Sequence, residues 1–450
     1  MNQSASDKIA RYAVEQASRP VSDATVHAAA RAFVDTVGVA VAGARHPIRD
    51  TVTAVLGEPR GTATDWNSGA AYRADDAAFV NAVSGHILDF DDVTSPLRGH
   101  PSIVLVPALV ALAEEEHATG EQVSAAYEIG FEVICRLSRP LIETHYVDGW
   151  HSTATIGLVG AAVATSQLLG LDAERTRDAI GIAVASAAGT RQNFGSLAKC
   201  YQAGNGAAAA VRAARLAQAG MDASPQALDG SLGGFIGLYT RASADAMDEE
   251  LATIGEPPGE LVTSGIEVKK YPLCYATHRA LDGLLDLREE HDLTLDDVAR
   301  VKVSTNSGGL VPVIHSRPQT GLEGKFSMEF AVAAALRFGE VRLATFTDEI
   351  VHSPEIQGFI PKVEPEEGDG PMFPRWTELE VELADGTVLH KRVEKLRGSA
   401  EVPLTEGELT DKVADCFDFG GSPADASRFV DAALNWRSTQ VREVLAGLRG

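Results

Sequence analysis

Along the first half of the chain, apolar residues return every three or four positions. In Ala24–Ala42 they are Val26, Ala30, Phe33, Val37 and Val41, a stripe that predicts one buried helical face. Helices are also expected over Ala71–Leu88, Ser102–Glu116, Gly120–Arg139 and Ala173–Ala188. His151–Leu169 differs: it is small and apolar nearly all round, which predicts a central helix enclosed by others. Near residue 255 the period changes. IGEPPGEL breaks the helical pattern, and beyond it Val301, Val303 and Thr305 alternate with polar residues, as do Leu379, Val381 and Leu383. Asp385-Gly386 supplies a hairpin turn before Val388–Val393, and one helix, at roughly Lys325–Gly339, falls between these strands. PKVEPEEGDGPMFPRW reads as a surface loop rich in Pro, Gly and acid. After Pro403 helices return, opened by a capping-box pattern at Thr405 and Glu408. The expectation is a mainly α protein. A large all-helical domain comes from both chain ends, residues 1–265 and 401–450, with a smaller α+β domain, 266–400, inserted.

Composition narrows the partners. The 450 residues carry 63 acidic against 39 basic side chains, a formal net charge of −24, and only 10 of the basic residues are Lys. That balance argues against nucleic acid and anionic membranes, which select basic patches. It also fits a high-salt cytoplasm, where screening tames self-repulsion. The first residues, MNQSASDKIARYAVEQ, lack the apolar core of a secretory signal. No run of about 18 uninterrupted apolar residues predicts a membrane span. Cys135, Cys200, Cys274 and Cys416 stand singly, with no C-x-x-C pair, so neither a disulfide framework nor a structural metal site is expected. A soluble, cytoplasmic protein with reduced thiols follows.

Candidate chemistry lies in four segments. His86, Asp89, Asp91 and Asp92 precede Arg98-Gly-His100-Pro-Ser102. Three carboxylates in four positions repel unless paired, and His86 and Asp89 share a helical face, so that carboxylate would orient the imidazole. A solvated acidic helix end is the plainer alternative. The same D-x-D-D matches the proton donor of terpene cyclases, but aromatics at 6% and four Trp do not supply their carbocation-stabilising walls. In YVDGWHSTATIGLVG, His151 opens the central helix, where unpaired N–H groups suit an anion and keep a His neutral, although a lone His is more often a cap or core residue. Ser196-x-x-Lys199 has the spacing of some serine acylases without their companion motifs. Lys199 itself, a rare lysine between apolar helices, would hold a carboxylate or transfer a proton. Gly204-Asn-Gly206 follows no strand and is set aside as a nucleotide loop. Lys269, Lys270, His278 and Arg279 form a dense positive cluster in KKYPLCYATHR, where the two domains would join; an ordinary charged linker reads the same way.

Together, DFDD…GHPS, GWHSTATIGLVGAA, NFGSLAKCYQAG, KKYPLCYATHRALDG, EGKFSMEFAVAAAL and GSAEVPLTEGEL resemble the MmgE/PrpD family, in family order and over nearly the whole chain. The family includes 2-methylcitrate dehydratases, cis-aconitate decarboxylases and iminodisuccinate epimerases. The resemblance implies a homodimer in which the α+β domain is a lid over the helical one. It implies no metal, no organic cofactor and a small polycarboxylate substrate. It also implies catalytic roles for Asp89, His100, His151 and Lys199, with His100 and His151 as the acid/base pair and Asp89 orienting a histidine. His278, Lys269, Arg279, Thr94 and Tyr271 would bind substrate. The chain departs from the family pattern at Gln202, where a His is usual, at Phe330, where Tyr is frequent, and in a loop before His100 that is one residue longer. The R-G-H-P-S, Y-x-x-G-W-H and N-F-G segments lean toward the epimerase branch. The leading expectation is a hydro-lyase removing a proton beside a carboxylate, as in a 2-methylcitrate dehydratase. An epimerase comes second, a decarboxylase third, and a non-catalytic dicarboxylate-binding scaffold is the alternative outside enzymes.

Overall fold

A computed structural model describes residues 3–241, 243–371 and 374–449. The chain divides into two compact units, residues 1–268 with 406–450 and residues 269–405. The protein is predominantly helical.

The first unit is built around the helix Ser152–Leu168. Every residue from Ser152 to Ser166 is buried, as its uniformly small, apolar sequence predicts. Around it pack Ala5–Ala17, Ser102–Glu115, Gly120–Val147, Ala173–Val184 and Ala198–Gln218. Gly120–Val147 opens on a capping box at Thr119 and Gln122, and it continues past Arg139 with Pro140 inside it. Ala71–Tyr72, expected to begin a helix, instead pairs with Ala63–Thr64 as a short antiparallel ribbon, and the helix starts at Ala74. Gly204 and Gly206 lie inside the helix Ala198–Gln218 and form no nucleotide loop. Asp23–Arg45 is long and apolar enough to cross a membrane by length and composition, but most of it is buried inside the unit. Its partner is the returning C-terminal segment. Lys412 of Glu406–Gly420 ion-pairs Asp35 at 2.5 Å and donates to Phe90 O at 2.9 Å. The end of the chain thereby clamps the loop that follows Ala74–His86.

The second unit holds a four-stranded sheet in the order Val363–Glu367, Val298–Thr305, Thr377–Leu383, Val388–Val393, parallel at the first pairing and antiparallel thereafter. Val301 faces Val381 and Val303 faces Leu379 in register. These four residues are buried with Leu281 and Leu284 of His278–His291 and Phe330 of Met328–Phe338. Gly386, at φ +88°, turns the hairpin the sequence predicts. Val363–Glu367 is a strand where a loop is expected. Pro365, lacking an N–H, is tolerated because this strand sits at the sheet edge.

Candidate active site

Three acidic residues follow the helix Ala74–His86, and the structure disposes of each differently. The helix stops at His86, and Asp89 takes the left-handed conformation at φ +53°. This strain costs about 1 kcal/mol or more for a non-glycine residue. Because of that turn His86 and Asp89 do not share a helical face. The partner of His86 is Asp91, whose Oδ2 lies 2.8 Å from His86 Nδ1 and 3.0 Å from His100 Nδ1. Burial pushes the Asp91 carboxyl up, but His100 and His86 outweigh it and hold the group well below the usual carboxylate range. An anionic carboxylate only accepts, so His86 Nδ1, hydrogen-bonded to it, carries its proton, while His100 stands at ion-pair distance. Asp92 is different again. Burial and the nearby Asp35 raise its carboxyl well above its ordinary value. It is hydrogen-bonded by Ser102 Oγ, which also meets Tyr127 OH at 2.7 Å, and by Ser102 N at 3.2 Å.

Asp89 pairs with the ammonium of Lys199, its Oδ1 2.5 Å from Nζ and 3.8 Å from His100 Nε2. Lys199 stands in the first turn of Ala198–Gln218. Burial lowers its pKa, but Asp89 and Asp91 overcome that and raise it, so it stays charged. Its Nζ also lies 5.3 Å from the Phe194 ring centroid. The S-x-x-K spacing forms no dyad: exposed Ser196 donates to Asn193 O at 2.8 Å. Burial drives the neighbouring Cys200 thiol up to about 12, far from a thiolate nucleophile.

His100 reaches this cluster because of Gly99. A Cβ there would come within 2.8 Å of both Ser152 Oγ and Thr153 Oγ1. Only glycine lets the loop lie on the N-terminus of the central helix, where His100 N donates to Thr153 Oγ1 at 3.0 Å. His151 precedes that helix without capping it; its Nδ1 lies 3.0 Å from Gln202 Oε1. The His86 ring lies between the other two, stacked on His151 at 5.9 Å and edge-on to His100 at 4.6 Å. Burial first, then His86, Lys199 and His100, holds His151 well below its ordinary value, so it is neutral. Burial lowers His86 to about 4 despite Asp91.

The structure thus brings Asp89, His100, His151 and Lys199 into one buried group, together with His86, Asp91 and Gln202. The sequence had flagged His86 and Asp91 without giving them a place in the site, and had marked Gln202 only as a departure. The orienting contact expected of Asp89 toward a histidine at hydrogen-bond distance belongs to Asp91. His86, Asp91 and His100 offer atoms within 4.8 Å of one another that a metal ion could use, but the 2.8 and 3.0 Å separations are hydrogen-bond and ion-pair lengths. Thr94 turns elsewhere, its Oγ1 donating to Gly265 O at 3.1 Å. The remaining candidates belong to the second unit. Tyr271 donates to Asp282 Oδ1 at 2.8 Å, His278 Nε2 lies 3.3 Å from Leu273 O, Arg279 donates to Glu394 O at 3.0 Å, and Lys269 is buried.

Paired histidines, one facing a carboxylate and one an amide, in one buried group with an ammonium are groups that can move protons beside an anion. Residues 7–246 match the MmgE/PrpD N-terminal domain and residues 271–438 the MmgE/PrpD C-terminal domain, and the chain belongs to the MmgE/PrpD family. It is similar to the cis-aconitate decarboxylases of Mus musculus, 27% identical over 75% of this chain and 70% of that protein, and of Homo sapiens, 29% identical over 75% and 71%. It is also 26% identical to the cis-aconitate decarboxylase of Aspergillus terreus, over 94% of this chain and 90% of that protein.

Proposed function

We propose that the protein is a lyase that removes a proton from the carbon beside a carboxylate in a small di- or tricarboxylate and expels water, a 2-methylcitrate dehydratase-like reaction. The observation that carries it is the neutral His151 beside charged Lys199. A neutral imidazole can take a C–H proton, and an ammonium can bind the negative charge that then develops on the carboxylate. His100, with Asp91 behind Nδ1, delivers a proton to the leaving hydroxyl. The C–H and C–O bonds break, a C=C bond forms, and water leaves; His151 ends protonated and His100 neutral until solvent resets both. Substrate contacts from His278 and Thr94, and a homodimeric assembly, are carried over from the family resemblance, and those from Lys269, Arg279 and Tyr271 rest on their place in the positive KKYPLCYATHR segment.

A second reading is decarboxylation, favoured by the relatives, which are cis-aconitate decarboxylases. There CO₂ leaves first and His100 or Lys199 protonates the resulting carbanion. Incubation with a set of small polycarboxylates, followed by absorbance at the ultraviolet edge and CO₂ detection, separates the two. Double-bond absorbance without CO₂ is expected. CO₂ release from cis-aconitate, with no dehydration of any hydroxy acid, would replace the dehydratase assignment by the decarboxylase. Deuterium uptake without a new double bond would replace it by the epimerase.

A further inference from the structure

The hydrogen bonds of Gln202 settle which nitrogen of His151 carries the proton. Gln202 Nε2 lies 3.2 Å from Thr190 O. A backbone carbonyl only accepts, so the amide group there must be the NH₂. The other end of the amide, Oε1, is then an acceptor, and it lies 3.0 Å from His151 Nδ1. Nδ1 must therefore hold the hydrogen, and Nε2 has none. Nε2 is buried and meets no hydrogen-bond partner among the described residues.

The same short segment grips both residues. His151 N donates to Gly189 O at 3.0 Å, and Trp150 and Thr190 form an antiparallel bridge. Gly189 is at φ +145°, and a Cβ there would stand 2.5 Å from Gln202 Oε1 and 3.1 Å from Ala154 Cβ. Any side chain at 189 would displace the amide that faces the imidazole.

We infer that Gln202 is a positioning residue that fixes His151 as the Nδ1–H tautomer, leaving Nε2 as a bare lone pair aimed into the site. This deepens the proposed function and rests on it for one consequence. A bare Nε2 can take a C–H proton at once, whereas the carbanion left by loss of CO₂ would have to draw its proton from another group, His100 or Lys199. Gln202 is neutral at every pH, so unlike the carboxylate behind His100 it lends no charge to a protonated ring.

The test is ¹⁵N NMR of the full-length protein labelled at histidine, with the His151 signals assigned by their loss in His151→Ala. The wild type should show a protonated, pyrrole-type Nδ1 and an unprotonated, pyridine-type Nε2. A protonated Nε2 in the wild type overturns the inference with no variant needed. Gln202→Leu should lose the single tautomer and lower kcat by roughly 100-fold with KM little changed, as misplaced catalytic groups do. Gln202→Glu, which keeps the acceptor and adds charge, should restore the tautomer and move the acidic limb of kcat/KM to higher pH. Gln202→Leu with wild-type signals and wild-type kcat would overturn the role. The NMR result stands apart from the reaction: the stated tautomer in a protein that converts no polycarboxylate would uphold the positioning and remove only the dehydratase.

Discussion

The cluster around Asp91 and the sheet face around Arg300 both set cations or imidazoles against carboxylates, one out of water and the other in it. Arg300 reaches Glu364, Glu380 and Glu382, each at 3.1 Å, on a strand face open to solvent. Lys302 and Glu366 repeat the pattern at 2.9 Å. Water and salt screen such pairs, and long side chains lose freedom in making them, so their number says little about stability. In the first unit, His86, Asp91, His100 and Asp92 are all buried. There no water takes the place of a lost partner, and protonation states become fixed properties of the fold. The acidic surplus of the composition describes partners for solvent on the first kind of surface. The chemistry rests on the second.

Acidification should break the buried arrangement first. His86 is held at about 4 and His151 well below its ordinary value, so both are neutral in the folded state while the unfolded chain takes up protons below about pH 6.5. Their contribution is complete above pH 6.5 and is lost as pH falls toward 4; from His86 alone the loss is about 3 kcal/mol. Thermal melts across that range should show the slope, and His86→Gln should flatten it; an unchanged slope would contradict the burial argument.

Asp91→Asn should cost about 2 to 3 kcal/mol in denaturant unfolding, because an amide can accept from one imidazole N–H but turns a donor toward the other. Asp92→Asn sharpens the contrast one residue away. Burial already pushes the wild-type carboxyl toward its neutral form, so the amide should change stability by less than about 1 kcal/mol near pH 5. Since the raised carboxyl loses stability as pH climbs through its folded value, the Asn variant should gain on the wild type in alkali. Equal losses from the two substitutions would erase the distinction. Smallest of all is Arg300→Gln, which should leave the melting temperature unchanged within error, most clearly at high salt.

Much of this arrangement was legible in the sequence where one residue pattern determined one outcome. The central helix declared itself because Ser152–Ser166 is small and apolar nearly all round, and the strands around Val301 and Val381 because their alternation matches a half-buried sheet. Val363–Glu367 was hidden: a central strand excludes proline and prefers apolar residues, but an edge strand needs neither. In the site, residue types pointed to His100, His151 and Lys199, but spacing misassigned the partners. His86 and Asp89 are three apart and would share a face only if the helix went on; the left-handed turn at Asp89 gives His86 to Asp91 instead. Gln202 stood out as a departure, yet its partner is 51 residues away, a distance that no local pattern spans.

The central claim is that His151 takes a proton from carbon, and solvent exchange tests it most directly. The protein is incubated in D₂O with a 2-methylcitrate-like acid, and ¹H NMR follows the hydrogen on the carbon beside the carboxylate. The wild type should exchange or eliminate that hydrogen. His151→Ala, with an unchanged melting temperature, should do so at least about 100-fold more slowly. Exchange at a near wild-type rate in His151→Ala would contradict the account.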